Sequence, residues 1–221
     1  MALFKGKYLS FVQRNTTSSS IVSLPAIYVD LSRCIGCNAC SLACKQENNV
    51  QIGERWNEVY GAERGSNPSL QVRVLPMLCH HCGNAPCKST CDNLGYQAIV
   101  KRRDGILYID SALCVGCQKC LPACPYKVIY FNTEKVNRTG GKGVAEKCHF
   151  CMHRIDAGLP PACVITCLGI TREYGDYNAL RAKYPEAKQM GDNVRILYGH
   201  LGDEPEQDST TSGYPSPMEF H

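Results

Sequence analysis

Sixteen cysteines fall in four groups of four along this 221-residue chain, and each group closes with the same C-x3-C step. The groups are Cys34, Cys37, Cys40, Cys44; Cys79, Cys82, Cys87, Cys91; Cys114, Cys117, Cys120, Cys124; and Cys148, Cys151, Cys163, Cys167. None is left over. Iron-sulfur clusters require this spacing and few other sites use it, so the count implies four [4Fe-4S] clusters held by these sixteen thiolates.

The spacing has a geometric reason. Three thiolates two residues apart wrap one loop around three irons of a cubane, and the fourth iron takes a ligand from elsewhere. The last cysteine of each run then serves a neighbouring cluster, as in bacterial two-cluster ferredoxins, whose C-x2-C-x2-C-x3-C-P run is reproduced from Cys114 to Pro125. Cys34 to Cys44 repeats it with Lys45 in place of the proline. Gly36 and Gly116 precede the second cysteine of their runs, where a residue without Cβ lets the loop curl and turn its N–H groups towards sulfur.

Three other readings compete. A disulfide framework needs a secreted chain, yet MALFKGKYLSFVQRN carries charge where a signal peptide has its apolar segment. Structural zinc prefers two C-x2-C pairs separated by a knuckle over triplets within seven residues. Buried structural thiols do not account for ordered groups.

Composition agrees with a small metalloprotein. Hydrophobic residues make up 44% of the chain, but the sixteen cysteines are among them, so the clusters are expected to serve as inner core and the apoprotein to be largely unfolded. The formal charge of +4 counts cysteine as neutral; four cluster-bound thiolate sets bring it to roughly −4. The basic excess therefore balances cluster charge and gives no sign of a nucleic-acid partner.

Residues 27 to 44 align without gaps on residues 107 to 124 and match at eight of eighteen positions, including Tyr28 with Tyr108 and Asp30 with Asp110. Groups two and four also correspond, CHHC with CHFC and CKSTC with CVITC. The expected fold is α+β: duplicated ferredoxin-like units of short strands and helices around four clusters, with irregular loops and an extended C-terminal tail. Strands are predicted at Ala26 to Asp30, Gln71 to Leu75, Ile106 to Asp110 and Lys127 to Phe131, short helices after Cys40 and Cys120, and an exposed helix over 177–190 broken near Pro185. The expected organisation is an arm (1–25), a cluster domain (26–200, repeat units about 26–91 and 106–167) and a tail (201–221).

The order of groups, the C-x2-C-x4-C-x3-C of group two, the C-x2-C-x11-C-x3-C of group four and the phrases RRDGILYID and CPYKVIYFN resemble the electron-transfer subunit of dimethyl sulfoxide reductase-type molybdenum or tungsten enzymes. The resemblance covers roughly residues 26 to 200. It implies that Cys34, Cys37, Cys40 and Cys167 hold one cluster, and Cys148, Cys151, Cys163 and Cys44 its mate. It implies Cys79, Cys82, Cys87 and Cys124 for a third, and Cys114, Cys117, Cys120 and Cys91 for the fourth. Asp92 stands where relatives carry proline after Cys91, so the loop there should differ in backbone and charge.

Rossmann, P-loop and nucleophile motifs are absent, so no catalytic residue is expected. The implied function is relay of single electrons to or from a large molybdenum- or tungsten-pterin catalytic subunit, with a membrane anchor, cytochrome or other carrier as a further partner. A stand-alone polyferredoxin or hydrogenase- or formate-linked carrier is the alternative; a zinc interaction module and a structural role in a non-redox complex are two more. No run of 18 apolar residues exists, so no membrane span is expected. The absence of a signal fits the cytoplasm, with periplasmic co-export on a partner as the other route. His80, His81, His149 and His153 lie beside ligands, where packing or N–H donation to sulfur is expected. Lys127, Lys147, Arg102 and Arg103 either stabilise reduced clusters or bind a partner carboxylate, or else sit in solvent. Trp56 is expected to pack.

Overall fold

A computed structural model describes residues 24–133, 138 and 141–202. The polar stretch at 15–20 and nearly all of the tail lie outside the described residues.

The first strand, β1 (Pro25–Asp30), is buried along almost its whole length, as its run of apolar and β-branched residues demands. It is the middle of a three-stranded sheet. On one side it pairs antiparallel with β8 (Arg172–Asp176), from Pro25 opposite Asp176 to Val29 opposite Arg172; on the other it pairs parallel with β9 (Ile196–Gly199). Three antiparallel pairs complete the β structure: β2 (Asn57–Arg64) with β3 (Gln71–Leu78), β4 (Ile99–Lys101) with β5 (Leu107–Ile109), and β6 (Tyr130–Asn132) with β7 (Val144–Glu146).

This pairing sets the cysteine groups against one another. Strand β1 leads into group one and β8 leads out of group four, so their pairing places those groups side by side. Strand β4 follows group two and β5 precedes group three, and their pairing does the same for the inner groups.

Helix lengths follow from one residue. Pro125 forces the preceding Cys124 into extended backbone (φ −83°, ψ 115°), so α3 (Cys120–Ala123) stops after four residues. In group one Lys45 takes the proline's place, and α1 (Ala39–Asn48) runs on for ten, flanked by Asn38 and Asn49 in left-handed conformation. Asp92 acts likewise in α2 (Pro86–Asn93): the helix opens on Pro86, passes through Cys91, and pairs Lys88 with Asp92 at 2.7 Å. The departure at Asp92 is thus a helix that continues past its last cysteine.

Three short helices follow: α4 (Met152–Ile155), α5 (Ala162–Ile165) and the somewhat longer α6 (Tyr177–Lys183). The helix expected over 177–190 ends at Lys183, before Pro185. The strand expected at Lys127 to Phe131 begins only at Tyr130, because Lys127 turns the chain with φ 50° and its N–H bonds the Cys124 carbonyl. The repeat is therefore not carried into equal elements: β1 is central in three strands, whereas β5, its counterpart, sits in a pair.

Candidate metal centres

Four cavities lie in the core, and each is lined by four cysteines. Cys34, Cys37, Cys40 and Cys167 line site 1. Cys44, Cys148, Cys151 and Cys163 line site 2. Cys79, Cys82, Cys87 and Cys124 line site 3, and Cys91, Cys114, Cys117 and Cys120 line site 4. In every set three thiols come from one group and the fourth is the closing cysteine of the group paired with it. Each cavity encloses about 310 to 370 Å3, mouth included. None of the sixteen is in a disulfide.

The sites follow one another in order. Helix α1 carries Cys40 of site 1 and, one turn on, Cys44 of site 2. Helix α2 carries Cys87 of site 3 and Cys91 of site 4 in the same way. Between the pairs, Cys79 of site 3 is near enough to Cys148 of site 2 to add to the rise that burial causes in the Cys148 thiol. The ends face solvent: Cys37 and Cys117 are exposed. Exposed apolar residues flank both ends, Ile35 and Leu168 beside site 1, Leu113 and Val115 beside site 4.

Residues 70–177 match the sequence profile of a 4Fe-4S dicluster domain, and residues 27–47 that of a 4Fe-4S binding domain. A tetrathionate reductase subunit of Salmonella typhimurium is 37% identical over 183 residues, covering 81% of this chain and 69% of that protein. The chain belongs to the iron-sulfur subunits of dimethyl sulfoxide reductase-type oxidoreductases. A dimethyl sulfoxide reductase iron-sulfur subunit of Halobacterium salinarum is 41% identical over 68% of this chain, which spans 65% of that relative's length. The arsenate respiratory reductase iron-sulfur subunit of a Shewanella species is 34% identical over 70% of this chain and 82% of its own.

In this iron-sulfur subunit the surroundings of the thiols suit a sulfur-rich anion. Arg172 is the clearest sign. Its side chain is buried (2% exposed), and among the described residues it makes no ion pair with a carboxylate. Instead Nη2 donates to Cys40 Sγ at 3.4 Å and to Asn57 Oδ1 at 3.3 Å, while Nη1 is buried with no acceptor. Burial works against its charge, but the thiols of Cys40, Cys163 and Cys167 more than offset that and hold the guanidinium above its ordinary pKa.

Other donors converge on sulfur. Asn48 Nδ2 reaches Cys44 Sγ at 3.6 Å and Cys151 Sγ at 3.8 Å, a contact that exists only because α1 continues past Lys45. The N–H of Thr171 donates to Cys167 Sγ at 3.4 Å and that of Phe150 to Cys148 Sγ at 3.5 Å. Site 2 is also lined by Trp56, Asn57 and His149, whose Nε1, Nδ2 and Nε2 atoms are buried without protein acceptors. His149 Nδ1 accepts from the Met152 N–H, so the ring proton sits on Nε2. Trp56 packs edge-on against His149 and is 1% exposed. Its indole N–H adds a donor to the expected packing role.

The remaining basic residues divide. Lys147 is buried at site 3, with Nζ donating to the carbonyls of Leu107 at 2.5 Å and Cys148 at 3.1 Å. Arg102 instead makes a bidentate pair with Asp156, and Arg103 is exposed. His153 bonds Glu47 Oε1 at 2.7 Å rather than a thiol. His80 stacks on Tyr126 (centroids 4.0 Å apart), and His81 Nδ1 accepts from the Leu107 N–H at 3.0 Å; burial depresses both imidazoles and keeps them neutral.

Burial pushes the thiol of Cys87 up to about 12 and that of Cys82 to about 11, and the thiol of Cys79 pushes the same way. Burial likewise raises Cys163 to about 12 against the pull of Arg172. Four such thiols become thiolates together only when positive charge is brought among them, which is what iron does.

Proposed function

We propose that the subunit carries four [4Fe-4S] clusters, one on each set of four cysteines, within residues 26–200, and relays single electrons for a molybdenum- or tungsten-pterin catalytic subunit. The observation that carries this reading is the grouping of sixteen thiols into four cavities of four in consecutive order. Among the described residues no three Cys, His, Asp or Glu side chains gather as one metal ion needs. The thiols stand around a volume, which suits a cubane better than zinc, whose 2.3 Å bonds draw four sulfurs to a point.

When bound, the clusters supply one-electron redox chemistry. The protein's part is to hold, space and bias them. The thiolates fix position; Asn48 and the N–H groups of Phe150 and Thr171 lower the charge density on sulfur; the apolar core excludes water from sites 2 and 3. The solvent-facing ends at Cys37 and Cys117 give an entry and an exit, and the apolar residues beside them suit docking of the catalytic subunit at one end and a second carrier at the other.

This arrangement favours an obligate subunit over a free polyferredoxin. Anaerobic purification tests it. A large protein containing molybdenum or tungsten should copurify at fixed ratio. A lone chain bearing sixteen irons would point to the polyferredoxin instead.

A further inference from the structure

One residue bonds both a thiol of site 1 and a residue that lines site 2. Arg172 opens strand β8, opposite Val29, and its side chain lines site 1. There it donates to Cys40 Sγ of site 1, at 3.4 Å, and its charge also draws down the thiol of Cys163 of site 2 against burial. Asn57, which lines site 2, accepts from the same nitrogen and fixes the guanidinium in place. No carboxylate neutralises it among the described residues, and it is out of contact with water, so its full charge acts through a medium of low dielectric. Site 3 has a buried cation of its own, Lys147, whose ammonium donates to two carbonyls and whose charge acts on Cys82 and Cys87, whereas Lys119 at site 4 is exposed.

Resting on the four-cluster reading, we propose that Arg172 is a shared electrostatic bridge that raises the reduction potentials of the clusters at sites 1 and 2 together. An added electron is an added negative charge, so a fixed buried cation near the thiolates of both clusters favours the reduced form of each. Sites 1 and 2 are thereby favoured for reduction over site 4, which has neither a buried cation nor shelter from solvent. An arginine suits the role because it cannot lose its proton.

The test is a redox titration followed by electron paramagnetic resonance on the anaerobic holoprotein, comparing wild type with Arg172→Gln and Arg172→Lys, with iron counted on every sample. Wild type without iron would sink the cluster reading itself, a different failure from the one sought here. With full iron, Arg172→Gln should shift two of the four reduction equilibria at least tenfold towards the oxidised form, about 59 mV for one electron. The other two serve as internal controls and should stay put. Arg172→Lys keeps the charge and should hold all four within about threefold of wild type. The proposal fails if Arg172→Gln with full iron leaves all four unchanged or moves all four alike. It also fails if Arg172→Lys with full iron drops two of them tenfold, a result that stands even where the glutamine variant does not retain iron.

Discussion

A Cβ at Gly116 would meet the carbonyl oxygen of Gly143 at 2.3 Å, and the residue holds φ at +73°. Gly53 also has positive φ, +92°, but nothing lies within 4 Å of a Cβ there. The pair separates backbone strain from lack of space. Gly53→Ala should cost about 1 kcal/mol from strain alone. Gly116→Ala should cost more, about 3 kcal/mol, and release iron from site 4 first, read by thermal melting and iron content. The requirement at Gly116 is visible in the sequence, from its place before the second cysteine. Arg172 is not: it lies five residues past Cys167 in a mostly polar run, and nothing local distinguishes an inward arginine from an outward one until the register with β1 is known. Asn48 does leave a signal, since it stands four residues after Cys44 on the same helix, one turn away from its sulfur; Thr171 has the same spacing from Cys167 but reaches it across a turn.

Tyr28 belongs to the same scale but predicts a pH effect. Burial chiefly raises its phenol to about 12, with Asp30 and Tyr184 adding to it. The unfolded tyrosine ionises first, near 10, so this contribution is complete below pH 10 and is lost as pH rises towards 12. Tyr28→Phe keeps the stack on Tyr184, whose ring lies 3.7 Å away. The variant should lose less stability than wild type between pH 9 and 11, measured by chemical denaturation at each pH.

At the scale of elements, proline placement explains most of what separates the two halves. Lys45 extends α1, Pro125 ends α3, and only the extended helix brings Asn48 to site 2. Lys45→Pro should therefore cost about 3 kcal/mol and free Cys44 and Cys151 from their shared donor. Helix α6 depends on a different device: Asp176 caps it by accepting from the N–H groups of Asn178 and Ala179. Asp176→Ala should destabilise by about 1 kcal/mol without changing iron content, which melting and iron assay together would check. The strands leading into the cysteine loops are legible as alternating or apolar runs. The hairpin of β2 and β3 is only half legible, because β3 has an apolar run of its own while β2 carries mixed polar residues that only pairing with β3 makes a strand.

For the whole molecule, the cysteine spacing implies how many groups exist, but which groups meet follows from the sequence only by resemblance. The folded chain supplies the physical reason: strands flanking the outer groups pair with each other, as do those flanking the inner groups. Four-residue helices such as α4 and α5 do not stand alone in water, so removing iron should abolish most regular structure, seen as loss of far-ultraviolet circular dichroism on anaerobic chelation. The central claim is that every cysteine set holds a four-iron cluster. Iron and acid-labile sulfide should be assayed per chain on anaerobically purified protein, with spin integration after full reduction. About sixteen irons, sixteen sulfides and four spins per chain are predicted; zinc in their place, or iron sufficient for only two clusters, would contradict the account.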